Sequence, residues 1–480
     1  MSEDQSLKEK TAKGLFWGGF SNGIQQLLNL TFGIFLARLL SREDYGMIGM
    51  LSIFSLIAGS LQESGFTAAL ANRKNVQHKD YNAVFWFSST MGFTLYVLLF
   101  FCAPYIAKFY DNPALTPLAR YSFIGFFISS LGTAQSAYIF RNLMVKQRAI
   151  STMISLTISG IVGVTMVYCG MAYWGFATQN IVYASSITCC YWYFSPWRPT
   201  IHINLKPLKG MIAFSSRLLV TNIFSHINNN ILSVILGKFY SEREVGDFNQ
   251  ANKWNSMGYS VITGMVNGIA QPILASVTDD RQRQKRIFRK MLRFTSFVTF
   301  PAMFGLSLIT PELITIAVTS KWAASAEIMR ILCIGSAFTA ISSLYSNLII
   351  SKGKSDIYMW STIALGSVQV AMMLYCSSYG ISALVRYYIC INISWLVIWQ
   401  FFVWREIHLT VFQALKDISP FAIIAGGTMI ATHYCTRDIS NIYVLLIAKI
   451  AIAAAIYTAV MWMSGSVTFK ESVHYLLKKR

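Results

Sequence analysis

Charge is scarce in this sequence, and negative charge scarcer still. Asp, Glu, Lys and Arg make up 12% of 480 residues, with 20 acidic side chains against 40 basic ones. Soluble proteins carry about 25% charged residues and about 45–50% apolar ones, whereas apolar residues here reach 54%. They gather in blocks long enough to cross about 30 Å of hydrocarbon. A soluble enzyme is therefore excluded, and the chain reads as an all-α polytopic membrane protein. Cysteines are few and dispersed: Cys102, Cys169, Cys189, Cys190, Cys333, Cys376, Cys390 and Cys435 lie in or beside apolar spans with no paired metal spacing. They read as small buried hydrophobes, not as a zinc site. No phosphate loop, metal-spaced histidine pair or nucleophile elbow occurs, so neither a cofactor nor an enzymatic activity is implied. The first dozen residues are polar and lack the short apolar core of a cleaved signal peptide. The first span is thus expected to direct insertion. Outer loops stay short, leaving no room for an external catalytic domain.

What is present is a membrane plan written twice. Lys13-Gly14 opens an apolar span that ends in Leu40-Ser41-Arg42-Glu43-Asp44-Tyr45-Gly46, and Lys209-Gly210 opens another that ends in Tyr240-Ser241-Glu242-Arg243-Glu244-Val245-Gly246. Further landmarks keep their order: Arg73 and Lys74 answer to the basic run Arg281 to Arg293, Arg120 to Arg330, and Asn142-Leu143 to Asn347-Leu348. A repeat with an even number of crossings returns to its starting side, so the copies share one orientation about an axis along the membrane normal.

About fourteen spans can be read, from Gly14–Leu36 to Ile442–Met463, in a plan of six plus six plus two. The expected organisation is an N-terminal lobe over 1–194, a linker over 195–209 with Pro196, Pro199 and Pro207, a C-terminal lobe over 210–403, and two added helices with a tail over 404–480. With the N-terminus inside, about two thirds of Lys and Arg fall on inner segments, which makes both termini cytoplasmic. The net charge of +20 then serves insertion and attraction to anionic membrane lipids, not nucleic-acid binding.

Charges inside a bilayer cost at least about 2.5–3.5 kcal/mol each on insertion scales, so they face a cavity or a partner. The basic ones are Arg120, Arg217, Lys253, Arg330, Arg386 and Lys449, and the acidic ones Glu63, Asp247 and Glu327. Arg217 and Lys253, on the seventh and eighth spans, can present two cations to one anion, although each side chain is long enough to snorkel to the headgroups. His226 and Asn229 share a face of the seventh span, in a cluster with Asn228 and Asn230, and Gln25 and Asn29 form a similar stripe on the first. These suit a hydroxyl-rich ligand, and hydrogen bonding between helices explains them equally well. Glu63 is a candidate for ion coupling or a counter-ion to a nearby cation. Arg120 and Arg330 lie where snorkelling is expected, and Glu327 is spaced to pair with Arg330. Trp17, Trp86, Trp174, Trp197, Trp322 and Trp404, near span ends, fit an interfacial belt.

The runs Leu36-Ala37-Arg38-Leu39-Leu40-Ser41-Arg42-Glu43-Asp44-Tyr45-Gly46, Glu63-Ser64-Gly65-Phe66-Thr67-Ala68-Ala69-Leu70, Phe85-Trp86 and Ala103-Pro104-Tyr105-Ile106-Ala107-Lys108-Phe109-Tyr110 resemble the polysaccharide-exporter branch of the multidrug/oligosaccharidyl-lipid/polysaccharide (MOP) superfamily. The likeness is nearest to Wzx and WzxC-type exporters, with Ser41 standing where that family often has proline. The resemblance implies a flippase of a bacterial inner membrane that carries a polyprenyl-diphosphate-linked oligosaccharide to the outer leaflet by alternating access. It would act for lipopolysaccharide, capsule or exopolysaccharide synthesis and would work with polysaccharide polymerase machinery. In that reading Arg217 and Lys253 hold the diphosphate. A multidrug cation antiporter of the same superfamily is the rival within transport, although it would call for acidic cavity residues. An integral-membrane polysaccharide polymerase or ligase is the rival outside it.

Overall fold

A computed structural model describes residues 23–63, 66–67, 70, 76–142, 144–466 and 468–471. Lys13-Gly14, Trp17, the Arg73 and Lys74 pair and Leu143 lie outside the described residues. Helices are the only viable open-chain answer to a medium without hydrogen-bonding solvent, and they account for nearly all of the regular structure described. The chain forms two compact units, Met1–Gly246 and Asp247–Arg480.

In the first unit, α1 covers 23–39 and α2 covers Arg42–Glu63. The long α3 follows over His78–Phe109. One broken span comes next, made of α4 (Leu115–Ser122), α5 (Ile124–Ser130) and α6 (Thr133–Arg141). Helices α7 (Val145–Met166) and α8 (Ala172–Phe194) pack along one another. Their turn passes through Gly170 at φ 85°, a conformation that a residue without Cβ adopts at no steric cost. Helix α9, Lys209–Phe239, opens the second copy of the repeat yet belongs to the first compact unit. Helix α10, Glu242–Ala275, begins there and runs into the second.

The two copies begin their second helices in the same way. The Ser41 hydroxyl accepts from the Asp44 amide at 3.0 Å while the Asp44 carboxylate takes the Ser41 amide at 2.9 Å. Ser241 and Glu244 repeat that exchange at 3.4 and 3.1 Å. Both are capping boxes, which satisfy donors that a helix start leaves open. Ser41 is thus a helix cap at the position where the resembled family often has proline.

The linker after α8 is not a loose strand. Asn82 on α3 donates its amide to the His202 carbonyl at 2.7 Å and accepts the Thr200 amide at 2.9 Å, and Trp86 donates to the Thr200 carbonyl at 2.8 Å. Trp197, read from its position as part of an interfacial belt, is buried beside Tyr81 and Phe85 and donates to His78 Nδ1 at 3.1 Å. Trp322 is likewise fully buried.

The second unit holds α11 (Arg281–Val318), α12 (Ala323–Ser351), α13 (Ser355–Cys376), α14 (Ile381–Ile407), α15 (Val411–Cys435) and α16 (Ile442–Met463). The basic run Arg281 to Arg293 is no loop: it forms the opening turns of α11, started by an Asp280 cap that accepts from the Arg283 amide at 2.8 Å. Arg281 and Lys285 there donate to the Arg405 and His408 carbonyls, each at 2.7 Å, satisfying the open C-terminus of α14. Helices α15 and α16 are fastened to α11. Asp417 receives Arg289 at 2.6 and 3.0 Å, Tyr457 donates to the Phe297 carbonyl at 3.0 Å, and Lys449 pairs with Glu312 at 2.6 Å with both side chains buried.

Among the described residues, nine helices are long and apolar enough to cross a membrane, or ten if the bent pair Leu115–Ser130 and Thr133–Arg141 is one span. One of the nine, Val145–Phe194, contains both α7 and α8. With α1, α9 and α10 in the first, seventh and eighth places, the order is consistent with the fourteen-span plan. Of the eight free cysteines only Cys333 and Cys376 are buried, and Cys169, Cys189, Cys390 and Cys435 are exposed on the protein surface.

Candidate functional site

The broken fourth span makes room for a chamber. At Leu131 and Gly132 the amides bond back three residues instead of four, and the helix bends by 46°. A break inside a membrane leaves carbonyls that need partners, and α8 supplies them. Thr188 Oγ1 donates to the Ile128 carbonyl at 3.3 Å and Trp192 Nε1 to the Leu131 carbonyl at 2.8 Å. The bend is therefore a built feature.

Beside it lies a cavity of about 670 Å³, wholly within the first unit. Its wall is dense in hydroxyls: Ser55 and Ser60 from α2, Ser129, Thr133 and Ser136 from α5 and α6, and Thr188 and Tyr191 from α8. Helix α9 adds Asn222 and His226, one turn apart, and α7 adds Arg148. The Arg148 guanidinium lies 5.5 Å from the Phe140 ring centroid and beside the Tyr191 hydroxyl. No carboxylate lines the chamber among the described residues. Hydroxyls both donate and accept, so such a wall suits a polyol, and the Arg148 guanidinium suits an anion.

Of the residues singled out from sequence, His226 lines this chamber. Arg217 and Asn229 lie on the same helix and Glu63 on α2, but their side chains are outside the described residues. Asn230 spends its amide on the His226 carbonyl within α9, at 2.9 Å. Gln25 is half-buried and Asn29 exposed on α1, and neither is on the chamber wall. Lys253 is half-buried on α10 in the second unit, whereas Arg217 belongs to the first.

Arg120, Asp247 and Lys449 have other occupations, and Arg386 is exposed on α14. Arg120 donates to the Phe100 carbonyl at 3.2 Å and sits 4.3 Å over its ring. Asp247 is buried and accepts from Ser325 at 3.1 Å. Lys449 is held by Glu312. Glu327 and Arg330, spaced to pair, are both exposed, and no ion pair joins them among the described residues. Arg148 is not among the candidates read from the sequence. Besides His226, a signal for the chamber was the run Ser129, Thr133 and Ser136, three hydroxyls at helical spacing on either side of the break.

This helical membrane fold with a polar interior chamber defines a transporter class, and the comparisons with known proteins narrow it. The chain belongs to the family described as polysaccharide biosynthesis protein, whose family model matches residues 35–327. It is 22% identical over 359 residues to the lipopolysaccharide biosynthesis protein WzxC of Escherichia coli strain K12, covering 73% of this chain and 72% of that one. It is 22% identical over 435 residues to the teichuronic acid biosynthesis protein TuaB of Bacillus subtilis strain 168, covering 89% of each. Among solved structures the fold matches the lipid II flippase MurJ in an inward closed conformation, with TM-score 0.74 and 15% identity over 96% of this chain and 99% of that one. It also matches an inward-facing multidrug resistance MATE family transporter of the MOP superfamily, with TM-score 0.65 and 16% identity over 82% and 96%. The fold is that of the MOP superfamily.

Proposed function

We propose that the protein is a flippase for a polyprenyl-diphosphate-linked oligosaccharide, working by alternating access in a bacterial cytoplasmic membrane with both termini inside. The observation that carries this reading is the chamber: about 670 Å³ walled by serine, threonine and tyrosine hydroxyls, with Asn222, His226 and Arg148. Sugars are matched by groups that donate and accept at once. The diphosphate calls for cations in a low-dielectric setting, a role that falls to Arg148 and to the two membrane cations Arg217 and Lys253. Glu63 stands as the candidate for ion coupling. The protein acts as a carrier in polysaccharide synthesis, handing its cargo to polymerase machinery on the outer side.

The test is reconstitution of the purified protein in liposomes holding a lipid-linked oligosaccharide with a fluorescent sugar. With an irreversible external quencher, protein-dependent loss of the label otherwise protected in the inner leaflet is expected. If the label redistributes no faster than in empty liposomes, while the protein instead lowers drug sensitivity in an efflux-deficient host, the antiporter reading replaces this one. If deletion leaves exported but unpolymerised sugar units, the polymerase reading does.

A further inference from the structure

The second unit carries the counterpart of the chamber, and there it is filled. On α12, Gly335, Phe338, Thr339 and Ser342 face a cavity of only about 90 Å³. Their spacing is that of Ser129, Gly132, Thr133 and Ser136 on the wall of the larger one. On α14, Asn392 and Trp395 are spaced as Thr188 and Tyr191 are on α8. Both sets come from the fourth and sixth spans of their copy, so the cavities are related by the internal repeat.

The difference in volume has named causes. Phe338 occupies the place in the pattern that Gly132 holds in the first unit, and Trp395 the place of Tyr191. The indole of Trp395 is pinned by donating to Ser361 Oγ at 3.0 Å, Asn392 is held by Gln369 at 3.1 Å, and Trp399 stacks on Tyr358 at 6.2 Å between centroids. What remains is about 90 Å³ against about 670 Å³ in the first unit, so the second pocket offers far less room for a sugar ring with its hydroxyls. In the first unit Gly132 is the opposite device: a Cβ there would stand 3.1 Å from Thr188 Oγ1, against the helix that the chamber wall is built on.

Resting on the flippase reading above, we propose that carbohydrate is bound by one half of the repeat only. The first unit's chamber holds the sugar through its hydroxyls. Its counterpart, closed by Phe338, Trp395 and Trp399, serves as packed core.

The experiment uses the full chain in lipid nanodiscs and two probes: lipid-linked oligosaccharide extracted from cells lacking the protein, and bare undecaprenyl diphosphate. Ser129→Phe and Tyr191→Trp fill the first chamber, and Thr339→Leu and Ser342→Leu fill what is left of the second. Thermal unfolding of each variant establishes that it folds. Ser136→Leu, a smaller intrusion, stands in where Ser129→Phe does not fold. Filling the first chamber is expected to weaken the glycolipid by about ten-fold or more, the scale of losing a few hydrogen bonds, and to weaken bare undecaprenyl diphosphate, which has no sugar to lose, by a smaller factor. The second pair should leave both probes unchanged. Undiminished glycolipid binding in folded first-chamber variants, or equal loss in both sets, overturns the inference and leaves the flippase reading standing. Failure of the unaltered protein to bind either lipid overturns the flippase reading and the inference with it.

Discussion

Gly46 on α2 rests directly against the backbone carbonyl of Glu242 at the start of α10, and Gly246 rests in the same way against the carbonyl of Arg42. The contact is reciprocal: each copy of the repeat offers a glycine four residues into its second helix and receives the glycine of the other on its first turn. Asn112 donates to Glu242 at 2.5 Å beside this crossing, and Lys238 pairs with Asp111 at 2.9 Å. Small residues let helix backbones approach where lipid offers no hydrophobic drive for association.

A methyl group at either glycine has backbone in its way and no flexible side chain to displace. Gly46→Ala and Gly246→Ala are each expected to destabilise the protein by about 1–3 kcal/mol, the scale of overpacking. Gly427→Ala, where a Cβ meets nothing within 4 Å, should be neutral or stabilising by up to about 1 kcal/mol. Unfolding midpoints in detergent would check both, and equal midpoints for all three variants would contradict the close crossing.

The Lys449 and Glu312 pair should behave as a unit. Removing one charge leaves the other buried, so Lys449→Met alone is expected to cost about 3–5 kcal/mol. Adding Glu312→Leu should recover most of that loss. A double-mutant cycle on unfolding free energy checks it, and additivity of the two single changes would show that the charges do not depend on each other.

Arg148 is exposed to the chamber, so its removal should touch binding more than folding. Arg148→Ala is expected to lower affinity for a diphosphate lipid by about ten-fold, as for a charge-assisted hydrogen bond, with an unchanged unfolding midpoint. Arg148→Lys should restore part of the charge effect. Titrating both variants with bare undecaprenyl diphosphate measures this directly.

Asn82 ties down the linker through two hydrogen bonds. Asn82→Ala should cost about 1–3 kcal/mol, a buried group losing its partners. The effect should be local: faster hydrogen exchange is expected at Thr200, whose amide loses its acceptor. Unchanged exchange there would mean that Asn82 does not hold the segment.

How much of the molecule is legible in its sequence follows from the range of each interaction. The duplicated start at Ser41 and Ser241 is readable because a capping box is local, four residues long in each copy. Arg148 is not. Its chain position puts it among inner-end cations, and only the fold brings it beside Tyr191 on the neighbouring helix. Lys449 is visible as a membrane charge, yet its partner Glu312 lies 137 residues away in the chain and nothing local ties the two together. Helix α11 continues through Pro301 and Pro311 to Val318, since neighbouring groups in a membrane protein can take up the bond that proline forgoes. The closed pocket of the second unit is equally hidden. Phe338, Trp395 and Trp399 look like ordinary packing until they are set beside Gly132 and Tyr191.

The docking of the linker on α3 limits how far the chain can pay out between α8 and α9. The segment is anchored as far as His202, and Lys206–Leu208 is already a helical turn with Leu208 buried. Ile203 to Leu205 joins the two, a connection of about 10 Å at full extension. The start of α9, and with it the approach to Asn222 and His226, is thereby moored to α3. Any rearrangement that carries cargo past those side chains must pivot near this mooring, with its larger excursions at the opposite end of α9.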